Sequence, residues 1–468
     1  MTASDAQLMV SVSGMRGVFG AGLTPEVVAR YTAAFLRQIL TQEATSPRRF
    51  IVGRDGRLGS SVVRDVVTAT ARAAGCDIID VGVAMTPTIG VMVQHHGAIG
   101  GVVVTASHNP QQWCGVKPIT RQGGAPGPGD AAALCESFER GLVFGDWACV
   151  EQLGDLSADE TASHVHVARA LAALESVCPL DDIKAKRYRV AVDSVNASGA
   201  NAARLLLDAL GCDVYAINDK ATGVFPHPPE PVPAHLGQLV DAVKDQSCDV
   251  GFAQDPDGDR LVVIDASGQC IGEERTLVIA VWAALSAMQS ARGVNIAVNL
   301  STSRMVEDIA TRFGAVVSRA SVGEANVVQR MGELGAPIGG EGNGGVIWPQ
   351  VARTRDSVSA MALTLALMTR ERAPMRDLAE ELSSYAMDKR KFDAPEDVPG
   401  ALGRVADVFA DAAIDTTDGV RVDLSDQDGW LHVRASNTEP IVRVIAEAPT
   451  SEATNALIGR AEKALLAR

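Results

Sequence analysis

One pattern recurs three times along the chain and limits its architecture more than any other feature. The apolar run Phe50 to Val52 leads through a polar loop into a stretch with apolar Val62, Val63, Val66 and Val67, then into AAGCDIIDVG. That periodicity reads as strand, loop, helix, turn and strand. The same order is present in YRVAVDSVNASGANAARLLLDALGCDVYAIN at 188–218, where Gly211 ends the helix and Val214 to Ile217 resume an extended run. It returns in NIAVNLSTSRMVEDIATRFGAVVSRA at 295–320. A βαβ crossover joins parallel strands, so each copy requires a parallel or mixed sheet with helices against it. Starts near 50, 188 and 295 are too far apart for a solenoid repeat and suit three homologous α/β domains.

The remainder of the 468 residues differs. A helical PGALGRVADVFADAA is followed by strand candidates Val420 to Leu424, Trp430 to Arg434 and Ile441 to Ala446, and by a closing helix from Glu452. Strands joined by short turns and flanked by helices indicate a smaller α+β domain. The expected division is 1–155, 156–270, 271–385 and 386–468, with the Gly/Pro-rich QGGAPGPGD at 122–130 as an exposed loop of the first domain.

Composition removes several classes of function. With 42 Lys plus Arg against 57 Asp plus Glu, the net charge of −15 repels a nucleic-acid backbone or an anionic membrane face, so neither is an expected partner. Apolar residues at 47% and charged residues at 21% exclude disorder as the main state. MTASDAQLMV lacks the basic start of a secretory signal, which favours a cytoplasmic location. The longest apolar stretch, Leu277 to Met288, is shorter than the ~18 to 20 residues that cross a bilayer and reads as a buried helix. Eight scattered cysteines without a CxxC pair read as free thiols.

Four loops carry the chemistry. In DPDGDR, Asp255, Asp257 and Asp259 alternate in a turn held by Pro256 and Gly258 after the apolar Val250 to Ala253. Three such carboxylates repel one another unless a hard cation, Mg²⁺ or a close analogue, sits among them. An EF-hand loop is excluded, because its sixth and twelfth positions would be Arg260 and Ala266 in place of Gly and Glu. A solvated acidic turn is the plainer alternative. In VVVTASHNP, Val102 to Val104 deliver Ser107 and His108 to a strand end, where α/β folds place ligands. The flanking glycines of a GxSxG elbow are absent, which disfavours a triad hydrolase; an ordinary turn serine is the plainer reading. A serine carrying a phosphoryl group would need the cation, a nearby acid or base and positive groups, for which Lys117 and Arg16 are candidates.

GGEGNGG at 339–345 offers Glu341 and Asn343 on an open glycine backbone, suited to sugar hydroxyls or to nothing at all. RASNTEPIVR at 434–443 sets Arg434, Ser436, Asn437, Thr438 and Arg443 around a turn that can hold a phosphate, although such strings also form for local reasons. The four loops, at 107, 255, 341 and 434, fall one in each domain, which implies a central cleft where the domains meet.

SVSGMRG, TASHNP, DPDGDR, GEGNG and RASNTEP, in this order, resemble the loops of the α-D-phosphohexomutase superfamily, and the likeness spans the chain. It implies three related α/β domains with mixed sheets and a smaller α+β fourth around a central cleft. It further implies that Ser107 is the serine phosphorylated in the active enzyme and that Asp255, Asp257, Asp259 and the Ser107 phosphate ligate Mg²⁺. Arg16, His108, Lys117 and Arg260 would surround the transferring group, with Lys117 moving the proton if its pKa is lowered. Glu341 and Asn343 would read sugar hydroxyls, and Arg434, Ser436, Asn437, Thr438 and Arg443 would serve the phosphate-binding end. The implied reaction interconverts hexose 1- and 6-phosphates through a 1,6-bisphosphate, which also acts as activator, in a monomer or homodimer.

One departure stands out. Many members carry GExSGH in the sugar loop; here Asn343 takes the Ser place and Gly345 the place of a histidine that can assist proton transfer. The variant loop, together with SNTEP, resembles phosphoglucosamine mutases of some bacterial and archaeal lineages. Glucosamine phosphate is therefore the expected substrate, with phosphomannomutase or phosphoglucomutase activity as the alternative and a non-catalytic sugar-phosphate binder as a further one.

Overall fold

The computed structural model describes residues 8–42, 48–436 and 441–467. Each repeated unit is longer than the βαβ crossover that announces it. The first runs through strand Arg49–Arg54, helix Ser60–Ala73, strand Asp77–Val83, helix Thr86–His95 and strand Gly100–Val104, then reverses into strand Trp113–Thr120. The second repeats this with Arg189–Asp193, Gly199–Ala209, Asp213–Ile217, Gly237–Asp245, Val250–Gln254 and the reversed Leu261–Asp265. The third does so with Asn295–Asn299, Met305–Phe313, Val316–Ala320, Glu324–Leu334, Gly339–Glu341 and the reversed Gly345–Ile347.

In every unit the first strand lies between the second and the third in parallel, and the fourth pairs antiparallel with the third. The third strands Gly100–Val104 and Val250–Gln254 are buried throughout, which explains their near-continuous apolar runs. The first sheet grows to seven strands by adding Gly14–Val18 and Met9–Ser11 at one edge and Leu156–Ala158 at the other. It thus extends past the expected break at 155.

The last sheet is antiparallel throughout, ordered Ala386–Asp393, Ile441–Ala448, Gly429–Ala435, Val420–Leu424 and Ala413–Asp415, with helices Val398–Val408 and Ser451–Leu466. Two of its strands escape sequence reading. Ala386–Asp393 carries Lys389, Arg390 and Lys391, charges that suit a sheet edge and hide its extended character; Ala413–Asp415 has only three residues.

The second and third units share one continuous core around helices Glu273–Ser286 and Ser357–Glu371, whose interior residues are buried on all sides. Asp356 caps the latter helix by accepting from Val358 N and Ser359 N, and pairs with buried His166 at 3.1 Å. The metal-loop and sugar-loop candidates therefore stand on one joined platform. The 122–130 segment is exposed only at its ends, at Gln122, Gly129 and Asp130, and turns helical from Pro128. Gly123, Gly124 and Pro126 are buried, and a Cβ on Gly124 would lie 2.6 Å from the Arg353 carbonyl oxygen, so Gly124 permits close packing on the third unit. None of the eight cysteines is bonded to another. No helix among the described residues is long and apolar enough to cross a membrane.

Candidate active site

The turn between the third strand and its reversed partner is the same topological position in each unit, and it supplies Ser107, the three aspartates and the glycine loop in succession. In the first unit, Ser107 has φ +48, a left-handed conformation that a residue with a Cβ seldom adopts and that costs on the order of 1–3 kcal/mol. Its neighbours enforce it. Thr105 Oγ1 accepts from Ser107 N at 2.8 Å and donates to Asp55 at 2.7 Å, while buried Arg57 pairs with Asp55 at 2.7 Å and donates to the Ser107 and Trp113 carbonyls. Asp55 and Arg57 are site-building residues that sequence reading missed; their signal was a position at the end of the first strand, GRDGR.

The Ser107 hydroxyl donates to Asp255 Oδ2 at 3.0 Å, and His108 Nδ1 lies 3.4 Å from the same hydroxyl. Asp255 Oδ1 accepts from the backbone N–H of Asp259 and Arg260, both at 3.1 Å, which folds the acidic turn back on itself. Asp257 accepts from Thr86 of the first unit at 2.7 Å. All three aspartates are fully buried, and one ligand atom from each lies within 4.8 Å of the others. Burial and the charges of Asp257 and Asp259 push the Asp255 carboxyl well above its usual range. Burial also opposes ionisation of Asp259, yet Arg355 and Lys117 hold it below that range.

The residues fit a divalent cation. Asp257 Oδ1 and Asp259 Oδ1 are buried without a hydrogen-bond partner, the pattern of hard oxygen donors waiting for an ion.

Positive groups ring the pair. Arg16 donates to Asn109 Oδ1 at 3.2 Å and reaches the Ala106 carbonyl, and Arg260 lies 3.8 Å from Asp259. The Arg260 charge, burial and Arg16 together depress the His108 imidazole to about 2, so it stands neutral. Lys117 departs from expectation. Burial favours its neutral form, but Glu324 and Asp259, each 3.5 Å from Nζ, outweigh burial and raise its pKa. It enters the site as a firmly held ammonium, not as a lysine of lowered pKa.

In the third unit, Glu341 is fixed from three sides: Oε1 accepts from Asn299 at 2.8 Å and Gly323 N at 3.1 Å, and Oε2 pairs with Arg355 at 2.6 Å. Asn343 Oδ1 is buried with no partner among the described residues. Leu261 N donates to Gly344 O at 3.0 Å and Ser357 to Gly258 O at 2.7 Å, stitching the glycine loop to the acidic turn. Arg355 and Glu324 were not singled out in the sequence. The first joins Asp259, Glu324 and Glu341; the second receives Lys117, Arg355 and Thr354.

The fourth domain brings Arg434, buried and paired with Asp418 at 3.1 Å, opposite Arg443 in the adjacent strand. Asp418 also accepts from Val322 N at 2.9 Å, one residue from the Gly323 that holds Glu341. Ser436 follows Arg434 at the end of its strand, its N–H bonded to Ile441 O at 2.9 Å. Asn437 and Thr438 lie outside the described residues.

Comparison with known proteins agrees with this layout along the whole chain. Models of the phosphoglucomutase/phosphomannomutase family match in order: alpha/beta/alpha domain I over 8–142, domain II over 168–268, domain III over 273–385 and the C-terminal domain over 385–463. A probable phosphoglucosamine mutase of Methanopyrus kandleri is 32% identical over 94% of each chain. A phosphoglucomutase/phosphomannomutase of Thermococcus kodakarensis is 33% identical over 94% of each chain. A crystal structure of a phosphoglucomutase/phosphomannomutase family protein from Burkholderia thailandensis superposes with a TM-score of 0.82 at 25% identity, covering 99% of this chain and 97% of that one. With four domain models in sequence and relatives matched end to end, the chain belongs to the phosphoglucomutase/phosphomannomutase family of the α-D-phosphohexomutase superfamily and is a phosphosugar mutase of the isomerase class.

Proposed function

We propose that this protein interconverts hexose 1- and 6-phosphates, with glucosamine phosphate as its leading substrate, through a phosphoserine at Ser107 and a 1,6-bisphosphate intermediate. The observation that carries the reading is the Ser107 hydroxyl 3.0 Å from Asp255, beside two carboxylate oxygens that lack partners. Asp255, Asp257, Asp259 and a phosphate oxygen on Ser107 would hold Mg²⁺, which when bound neutralises charge on the transferring phosphoryl group.

The chain's own groups do the rest. Arg16 and Arg260 face the phosphoryl oxygens, a role for fixed positive charge in a transfer whose transition state is loose. The bond from phosphorus to Ser107 Oγ breaks as one to the sugar hydroxyl oxygen forms. Lys117, held as an ammonium, gives its proton to Oγ and recovers one from the sugar hydroxyl, so the proton count balances. Neutral His108 accepts or donates a hydrogen bond at Oγ without adding charge. Glu341 and Asn343 read sugar hydroxyls, and Arg434, Ser436, Asn437, Thr438 and Arg443 hold the idle phosphate while the bisphosphate turns over.

Glucosamine phosphate is favoured by the GEGNG and SNTEP loops and by the phosphoglucosamine mutase among the relatives. The 33% identical phosphoglucomutase/phosphomannomutase supports glucose and mannose phosphates as the second reading. Purified protein with Mg²⁺ and a trace of glucose 1,6-bisphosphate is assayed on glucosamine, glucose and mannose phosphates. Fastest turnover of glucosamine phosphate is expected. Turnover of none of the three would sink the mutase reading for this chain, and binding without turnover would leave it a sugar-phosphate binder.

A further inference from the structure

The sugar loop and the metal loop are joined by one guanidinium. Arg355 Nη2 lies 2.5 Å from Asp259 Oδ2, Nη1 lies 2.6 Å from Glu341 Oε2, and Nε lies 3.1 Å from Glu324 Oε2. Three carboxylates from two units thus converge on the one group, which is itself buried. Its route to them is set by position 345. A Cβ on Gly345 would lie 2.1 Å from Arg355 Cδ and 2.8 Å from Cγ, so the arginine stem runs through the space that any larger residue there would occupy. Gly345 and Arg355 are one device: the glycine opens the channel and the arginine fills it.

The placement has opposite consequences for two ligands. On Asp259, the guanidinium occupies Oδ2 and leaves Oδ1 as the oxygen without a hydrogen-bond partner. It adds a positive charge next to an acidic cluster whose affinity for a cation rests on negative charge. On Glu341, the same guanidinium completes the set that fixes the carboxylate plane, with Asn299 and Gly323 N on the other oxygen. A fixed acceptor binds a hydroxyl without the ordering cost of a free one.

We propose that Arg355 is a positioning residue that ties Asp259 to Glu341, weakening the cation site while strengthening the sugar site. The roles of those two carboxylates rest on the mutase reading above, but the tie itself does not. Its use would be to keep the cation's hold loose enough for the phosphoryl group and the sugar to share control of the site, with one side chain setting both affinities.

The test is titration calorimetry on dephosphorylated full-length protein, with Mg²⁺ alone and, separately in chelator, with glucosamine 6-phosphate, glucose 6-phosphate and mannose 6-phosphate. Wild type is compared with Arg355→Met, Arg355→Lys and Gly345→Ala, with melting temperature as a check on folding. Arg355→Met is expected to bind Mg²⁺ at least about fivefold tighter, from loss of a unit charge a few ångströms away. It is expected to bind sugar phosphate about tenfold weaker, from loss of a charge-assisted hold on Glu341. Arg355→Lys, which reaches fewer of the three carboxylates, should fall between. Gly345→Ala should shift both ligands in the same directions as Arg355→Met, and it carries the test if Arg355→Met does not fold.

A merely structural arginine would give parallel weakening of both ligands. That result, or Mg²⁺ affinity unchanged or lowered in the folded variants, overturns the proposal, as does unchanged sugar-phosphate affinity. If wild-type protein binds none of the three sugar phosphates, the mutase reading fails instead, and the Mg²⁺ titration alone decides the tie: tightening supports it and its absence overturns it.

Discussion

The hydroxyl of Ser107 in the first α/β unit donates to the carboxylate of Asp255 in the second, at 3.0 Å and 148 positions along the chain. Both residues occupy the turn after the third strand of their unit, and Glu341 borders the equivalent turn of the third. Under the proposed function, this one structural position, present three times, would supply a phosphorylated serine, a cation site and a sugar reader. Each unit would then contribute a different part of one reaction, and the shared core of the second and third units holds two of the three turns in register.

Asp257→Asn should abolish turnover and leave the fold intact. The substitution removes one of the two buried carboxylates that, together with burial, drive up the Asp255 pKa, while Thr86 keeps an oxygen acceptor. In metal-free buffer the variant should be as stable as the parent or about 1 kcal/mol more so, since a repulsive buried charge is lost. Mg²⁺ should stabilise wild type and leave the variant's stability unchanged. Urea midpoints with and without Mg²⁺ check both halves; a variant that retains most of its activity would remove Asp257 from the metal site.

Arg57→Met should be costly although Arg57 touches no reacting group. It strands fully buried Asp55 and releases the Ser107 carbonyl, so a loss of about 3–5 kcal/mol is expected, together with a fall in kcat. Double substitution of Asp55 and Arg57 by Asn and Met should recover part of the stability but not the rate. Recovery of both would mean that the pair supports the fold alone.

Much of this was legible in the sequence because repetition made it so. The apolar run, helix and second run at 50, 188 and 295 mark three units, and the motif loops follow their strand ends. What stayed hidden depends on contacts between units. Arg355 gains its role from Gly345 ten positions earlier and from Asp259 and Glu324 on other elements, none of which leaves a local pattern. The Lys117 expectation reversed for the same reason: burial alone would have lowered its pKa, but Glu324 arrives from the third unit and raises it. The QGGAPGPGD segment read as a surface loop because its glycines signal turns, whereas Gly123 and Gly124 serve close packing.

Stability should fall on mild acidification through the joint between the third and fourth domains. His432 accepts from Ser301 at Nδ1, 2.8 Å, and donates from Nε2 to the Asp418 carbonyl at 2.7 Å, the pattern of a neutral imidazole. Burial lowers its pKa from 6.5 to about 4. Between those values the unfolded chain holds a proton that the native one does not, so stability is full above about pH 6.5 and declines by up to about 1.4 kcal/mol per unit as pH falls toward 4. His432→Gln should flatten that slope in urea titrations run at several pH values. An unchanged slope would place the acid sensitivity elsewhere.

The central claim is that Ser107 carries the transferable phosphoryl group, and labelling tests it most directly. Protein is incubated with Mg²⁺ and glucose 1,6-bisphosphate labelled in its phosphates, digested and mapped, and a second sample is chased with unlabelled sugar phosphate before digestion. The account predicts one phosphoryl group per chain, confined to the peptide bearing Ser107, absent from Ser107→Ala and transferred to sugar during the chase. A turning-over enzyme whose label lies on another residue, or that never carries label, would contradict it.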